Sequence, residues 1–319
     1  MKLRSTLATA IVLCTLMVQA SVAQQRVPMV LDTDIGGDID DAFALALVLS
    51  SPELDLRAVT TVTGDTNARA RIAAKMLWEA GKRDVPVAAG APGSKMDIPQ
   101  AAWAAGFTAP SLLSENAIEL MKAEIDRGRG QTVIVAIGPL TNLAELFKKY
   151  PQSKERIKRI VLMGGSIARG YYPGSGATAE YNIAADVTAA RIVFSSGVPI
   201  VMAPLDVTAR LQIQGSQLQK VIAGSDPLAK ALHALYVLWG QPTPTLHDPM
   251  AVSLLIDLQL CTTRPLTVEI DDQGMTRAIE GKPSNAIVAV ETDPARFLAF
   301  YVTRVAPGGD LHAPNDPHH

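Results

Sequence analysis

Residues 30–47 read VLDTDIGGDIDDAFALAL, and five aspartates (Asp32, Asp34, Asp38, Asp40 and Asp41) fall within ten of those positions. The apolar residues before them read as the end of a strand, and those after them as a buried helix. Asp32 and Asp34 sit at alternate positions, so they share one strand face. Gly36 and Gly37 permit a tight turn with close backbone approach. Asp40 and Asp41 open the helix, where the dipole and free N–H groups favour negative charge. Helix capping accounts for one or two such acids, not five. Carboxylates this crowded repel one another unless a cation sits among them, and a hard, oxygen-binding metal ion fits best.

Working outward, strand-like runs alternate with amphipathic stretches. The strand expectations are Met29–Asp34, Leu56–Thr63, Val85–Ala89, Thr132–Ile137, Arg159–Met163 and Ile200–Ala203. Helices are expected over Asn67–Ala80, Ser114–Arg127, Leu140–Lys149 and Val187–Ser195. This alternation predicts a single α/β domain over residues 24–305, with a mostly parallel central sheet flanked by helices. Thr267–Ala289 reads as strand–turn–strand, an antiparallel hairpin turning at Asp271–Gly274. In such a sheet the site forms at the carboxyl ends of the strands.

The bulk composition supports a globular chain: 48% of the 319 residues are hydrophobic. A formal net charge of −2 gives no basic surplus for nucleic acid. Lys2 and Arg4, an apolar run from Leu7 to Val18, and small residues at Ser21–Ala23 read as a secretory signal over residues 1–23. The apolar run is too short for a membrane span, so export to a periplasm or beyond is expected. Removal of that segment leaves Cys261 as the single cysteine, which excludes an internal disulfide. Residues 306–319, rich in Pro, Gly, Asp and His, read as a flexible tail.

Five segments in order carry a family resemblance: the Asp-rich run, VIVAIGPLTN (Val133–Asn142), VLMGG (Val161–Gly165), AEYN (Ala179–Asn182) and HDP (His247–Pro249). Together they resemble the inosine-uridine-preferring nucleoside hydrolases. The resemblance implies an α/β fold with Ca2+ at the carboxyl ends of the strands. It implies Asp34, Asp41, Asp248 and the Ile137 carbonyl as metal ligands, with Asp34 also the base that activates water. Asp40, Glu180 and Asn182 would hold ribose hydroxyls, and His247 would help the base leave; Met163, with Gly164-Gly165, reads either as a strand end before a loop or as a ribose contact. A small nucleoside is the implied partner, and a dimer or tetramer the implied assembly. These residue types suit the chemistry: a ribosyl cation needs nearby acids, and the water needs a carboxylate to take its proton.

Taken singly, several of these residues have plainer readings. Asn142 and Thr141 read as helix caps, Asp248-Pro249 as a turn start, and His233 as structural. The chain also departs from the family pattern. The Asp loop is two residues longer, which leaves Asp38 unassigned and Asp32 as a supporting acid. Asp65 stands where an asparagine usually follows the second strand, and an aspartate donates no hydrogen bond. Gly174 stands where an asparagine is expected before Glu180. Trp103 and Phe107 occupy a loop that often carries His-Gly. Trp103, with Trp239 and its neighbour Tyr236, is a candidate contact to the nucleobase or part of the packing.

The leading reading is a calcium-dependent N-glycosyl hydrolase that releases nucleobase and ribose. A reading of another class is an exported nucleoside or ribosyl-compound binding protein that keeps the calcium site but has lost turnover. Asp65 and Gly174 leave room for it; Asp34, Asp41, Asp248 and His247 argue against it. The strand-end Asp-x-Asp also partly resembles haloacid dehalogenase-type phosphatases, but Ile35-Gly36 follows and the next acids lie too close.

Overall fold

The computed structural model describes residues 26–307. The expected signal segment, and the expected tail from residue 308 onward, lie outside the described residues. The chain begins β1 (Val27–Thr33), α1 (Asp40–Leu49), β2 (Leu54–Thr61), α2 (Thr66–Glu79) and β3 (Val87–Ala89). A 3-10 turn (Pro99–Ala104) and α3 (Ala117–Gly128) lead to β4 (Thr132–Ala136) and α4 (Thr141–Lys149). Then come β5 (Ile157–Met163), α5 (Tyr181–Ala184), α6 (Val187–Phe194) and β6 (Ile200–Ala203). The last part holds α7 (Leu205–Thr208), α8 (Gly215–Ile222), α9 (Pro227–Trp239) and α10 (His247–Ile256), followed by β7 (Cys261–Ile270), β8 (Thr276–Ile279), β9 (Ala286–Thr292) and α11 (Pro294–Val305).

The strands form one sheet in the order β3-β2-β1-β4-β5-β6-β9-β7-β8. It is parallel from β3 through β9, and β7 runs antiparallel to both β9 and β8. The expected hairpin is present as β7–β8, closing through Gly274 at φ +79°. The rest of that span becomes β9, which ties the hairpin to the parallel sheet.

Both faces of the sheet are covered, which is why its strands read as apolar runs rather than strict alternations. Along β1, Met29 and Leu31 pack into one core with α1, α2, α10 and α11, while Val30 faces the other core with α3, α4 and α6. Helix α1 is buried along nearly its whole length. Tyr301 of α11 pins it, donating from its hydroxyl to the Phe43 carbonyl at 2.9 Å. Among the described residues no helix is long and apolar enough to cross a membrane.

The chain adds β2 and β3 on one side of β1 and β4 to β6 on the other. The carboxyl ends of β1 and β4 therefore diverge at a topological switch point, where α/β sheets open a crevice.

Candidate active site

A cleft of about 330 Å³ lies at this switch point. A larger groove of about 670 Å³, lined by Arg26, residues 48–52 and Lys82, lies at the amino end of β2 and carries none of the candidate chemistry.

The Asp loop forms the floor of the cleft. Asp34 is the first residue past β1, and Asp40 and Asp41 are in the first turn of α1. The Thr33 hydroxyl donates to Asp41 Oδ1 and accepts from the Ile35 N–H at 3.1 Å. Gly36 has φ +113°, and a Cβ there would meet Ile72 Cδ1 and Ile98 Cγ2 at 2.7 Å, so the turn needs glycine. The two-residue extension is held from outside: Gln100 Nε2 donates to the Asp38 carbonyl at 2.6 Å. The Asp38 carboxylate accepts from the Ile39 N–H at 2.6 Å. Beneath the floor, fully buried Asp32 accepts at Oδ1 from Thr60 Oγ1 (2.7 Å) and Asn142 Nδ2 (2.8 Å). Burial pushes its pKa up to about 7 against those two bonds.

The far segments converge on this floor. Asn182 Nδ2 donates to the carbonyls of Ile137 and Met163, both at 3.2 Å, joining the ends of β4 and β5. Glu180 caps α5, accepting from the N–H groups of Asn182 (2.9 Å), Ile183 (3.2 Å) and Gly165 (2.9 Å). Burial still raises its pKa to about 7. His247 and Asp248 open α10, and the Asp248 N–H donates to Asp40 Oδ2 at 3.3 Å. His247 Nδ1 pairs with Thr208 Oγ1 at 2.9 Å, and burial lowers its pKa to about 4, so the ring is neutral near pH 7.

Carboxylate oxygens of Asp40, Asp41 and Asp248 lie within 4.8 Å of one another. A calcium-type ion has oxygen ligands at about 2.3–2.6 Å, so oxygens of one shell lie within about 5 Å of each other. The donor set therefore fits a hard divalent cation. Burial, then repulsion among these acids and Asp34, raises all three pKa values well above the usual carboxylate range. A cation among them removes that repulsion. Asp34 is raised to about 6 by burial, opposed by the positive charge of Arg69. The tightest triad thus includes Asp40, expected at the ribose, with Asp34 bordering it.

The cleft unites Asp34, Asp40, Asp41, Ile137, Met163, Glu180, Asn182, His247 and Asp248. Asp65, Trp103 and Trp239 are not among its lining residues. Asp65 is an exposed cap of α2, accepting from the Ala68 N–H at 2.9 Å. Trp103 packs under Lys75, whose Nζ lies 4.3 Å from the ring centre. Trp239 packs by Tyr236 with ring centres 6.2 Å apart, and its indole N–H faces the carboxylate of Asp38, which does line the cleft. Asn142 is not a cap: it braces Asp32, and Thr141 Oγ1 donates to Asp186 at 2.8 Å instead.

Sequence reasoning missed Arg69, Met96, Tyr171 and Tyr181, which also line the cleft. Arg69 is fully buried and donates to the carbonyls of Thr63 (2.7 Å) and Ile35 (3.0 Å), tying the loops after β1 and β2 together. One signal was available: Arg69 stands on the apolar face of α2, in line with Ile72, Ala73 and Met76.

The family model described as inosine-uridine preferring nucleoside hydrolase matches residues 29–299. A pyrimidine-specific ribonucleoside hydrolase RihA of Citrobacter koseri is 34% identical over 310 residues, covering 88% of this chain and 98% of that protein. The RihA of an Enterobacter species is likewise 34% identical, covering 88% and 97%. Among solved structures, a purine-preferring ribonucleoside hydrolase from Gardnerella vaginalis superposes with a TM-score of 0.74 at 27% identity, covering 88% of this chain and 98% of that one. A plant nucleoside hydrolase gives the same TM-score at 24% identity, covering 88% and 99%, and attests the fold.

Proposed function

Because the chain belongs to the inosine-uridine preferring nucleoside hydrolase family, we propose that it is a calcium-dependent ribonucleoside hydrolase acting after export, as a dimer or tetramer. The observation that supports this best is the convergence of Asp34, Asp40, Asp41, Glu180, Asn182, His247 and Asp248, from three separate segments, on one cleft. Asp41, Asp248, Asp34 and the Ile137 carbonyl would hold the ion, and Asp40 is close enough to share it. When bound, the ion supplies fixed positive charge that acidifies water and orients a sugar diol.

Asp34 stands at the edge of the acid cluster and takes the proton of the attacking water. Asp40 and the Asn182 side-chain oxygen accept from ribose hydroxyls. Glu180, buried and ringed by backbone N–H groups, stabilises positive charge developing on the sugar. His247, neutral and held by Thr208, offers a hydrogen bond to the departing base. The cation-holding binder without turnover is not favoured, since the similar RihA proteins are named as hydrolases. Release of ribose from a panel of ribonucleosides, with and without chelator, tests the reading. Pyrimidine nucleosides come first because the RihA relatives carry that specificity in their names.

A further inference from the structure

Acceptors crowd the cleft and donors are scarce. Asp34, Asp38, Asp40, Asp41, Glu180 and Asp248 are acceptors only when ionised. Asn182 commits Nδ2 to the Ile137 and Met163 carbonyls, and Arg69 is buried against backbone carbonyls. Among the described lining residues the remaining polar side-chain donors are His247 and the hydroxyls of Tyr171 and Tyr181.

Tyr171 is the better placed of the two tyrosines. Its oxygen accepts from the Tyr181 N–H at 2.9 Å, which fixes the phenol and leaves its own proton free to donate. Its ring stands edge-on to the His247 ring, centres 6.1 Å apart at 76°. The residue is 37% exposed at the cleft, so a ligand reaches it. The loop that carries it is anchored at both ends. Asp206 accepts from the N–H groups of Ile167 and Ala168, both at 2.8 Å, and Ser166 Oγ accepts from the Thr178 N–H at 3.0 Å.

A nucleobase departs with the electron pair of the broken bond and gathers negative charge on its ring nitrogen and carbonyl oxygens. Carboxylates oppose that charge; a neutral donor beside His247 meets it. Resting on the nucleoside hydrolase reading above, we propose that Tyr171 is a catalytic residue that donates a hydrogen bond to the departing nucleobase, paired with His247. In the step, the C1′–N bond breaks with its electron pair going to the base, and the water oxygen forms the new C1′–O bond. Asp34 takes the water proton, and the base takes its proton afterwards from solvent. The phenol keeps its proton throughout: burial, then the charge of Glu180, raises its pKa above the ordinary range.

The test compares a nucleoside with p-nitrophenyl β-D-ribofuranoside, whose leaving group is stable as an anion and needs no donor. Tyr171→Phe removes the hydroxyl alone. Its kcat/KM is expected to fall about 30-fold on the best nucleoside of the panel and about threefold or less on the nitrophenyl riboside. Tyr172→Phe, at a residue 78% exposed and outside the cleft lining, is the control and stays within about twofold on both. Equal losses on the two substrates in Tyr171→Phe, or the same pattern in Tyr172→Phe, would overturn the inference. Circular dichroism and thermal melting assign a collapsed variant to the equal-loss outcome. A wild-type enzyme that cleaves the nitrophenyl riboside but no nucleoside overturns the nucleoside assignment while the glycosidase chemistry survives. One that cleaves neither overturns the proposed function, and this inference with it.

Discussion

The backbone N–H of Asp248 donates to Oδ2 of Asp40 at 3.3 Å, joining residues 208 positions apart. This contact sets the start of α10 against the start of α1. It brings the acid of the HDP segment into the cluster that the Asp loop begins.

Asp34→Ala should abolish turnover, by at least about 1000-fold in kcat, because Asp34 is the carboxylate assigned to take the proton of the attacking water. The variant should fold, since Asp34 is not part of the apolar core. Steady-state kinetics with circular dichroism checks both; wild-type turnover contradicts the mechanism.

Asp248→Asn separates metal binding from packing. At calcium near one hundred times Kd, the wild type should gain about 2.7 kcal/mol of stability. The variant should gain less than about half of that. Without calcium the variant should melt higher than the wild type, since burial and neighbouring carboxylates disfavour the charge it removes. Melting curves with and without chelator decide; a lower melting point of the chelated variant contradicts the repulsion.

Glu180 sets a pH dependence of stability in the chelated protein. Its folded pKa, about 7, lies above the ordinary glutamate value of 4.5, so the folded state binds more protons across that window. Its contribution is fully present below about pH 4.5 and is lost as pH rises through about 7. His247 acts in the opposite sense between about pH 4 and 6.5, which is why the difference between wild type and Glu180→Gln is the informative quantity. As pH falls from 7 to 4.5 that difference should shift in favour of the wild type; a constant difference contradicts the assignment.

Asp65→Ala should cost about 1 kcal/mol of stability through loss of the α2 cap. KM for nucleosides should stay within about twofold, because Asp65 is not among the residues lining the cleft. A tenfold rise in KM would instead place Asp65 at the ribose.

The Asp-rich run was legible because two local signals agreed: a buried parallel strand reads as an apolar run, and glycines mark the turn that follows. Strand boundaries shifted by two residues or fewer at β1, β2, β3, β4 and β5, as expected for ends set by pairing rather than composition. Asp65 and Asn142 were harder. Each stands at a helix start, where a cap and a ligand look alike, and only the fold shows that Asp65 turns to Ala68 while Asn142 reaches back to Asp32. Arg69 and Tyr171 stayed hidden for different reasons. Arg69 satisfies itself on carbonyls of loops that meet only in three dimensions, and Tyr171 lies in a loop whose sequence has no periodicity to read.

The most direct measurement is release of base and ribose from a panel of ribonucleosides by the purified, calcium-loaded protein. Hydrolysis of at least one nucleoside, abolished by chelator and restored by added calcium, is the predicted result. A folded, calcium-loaded protein that releases ribose from none of them would contradict the account.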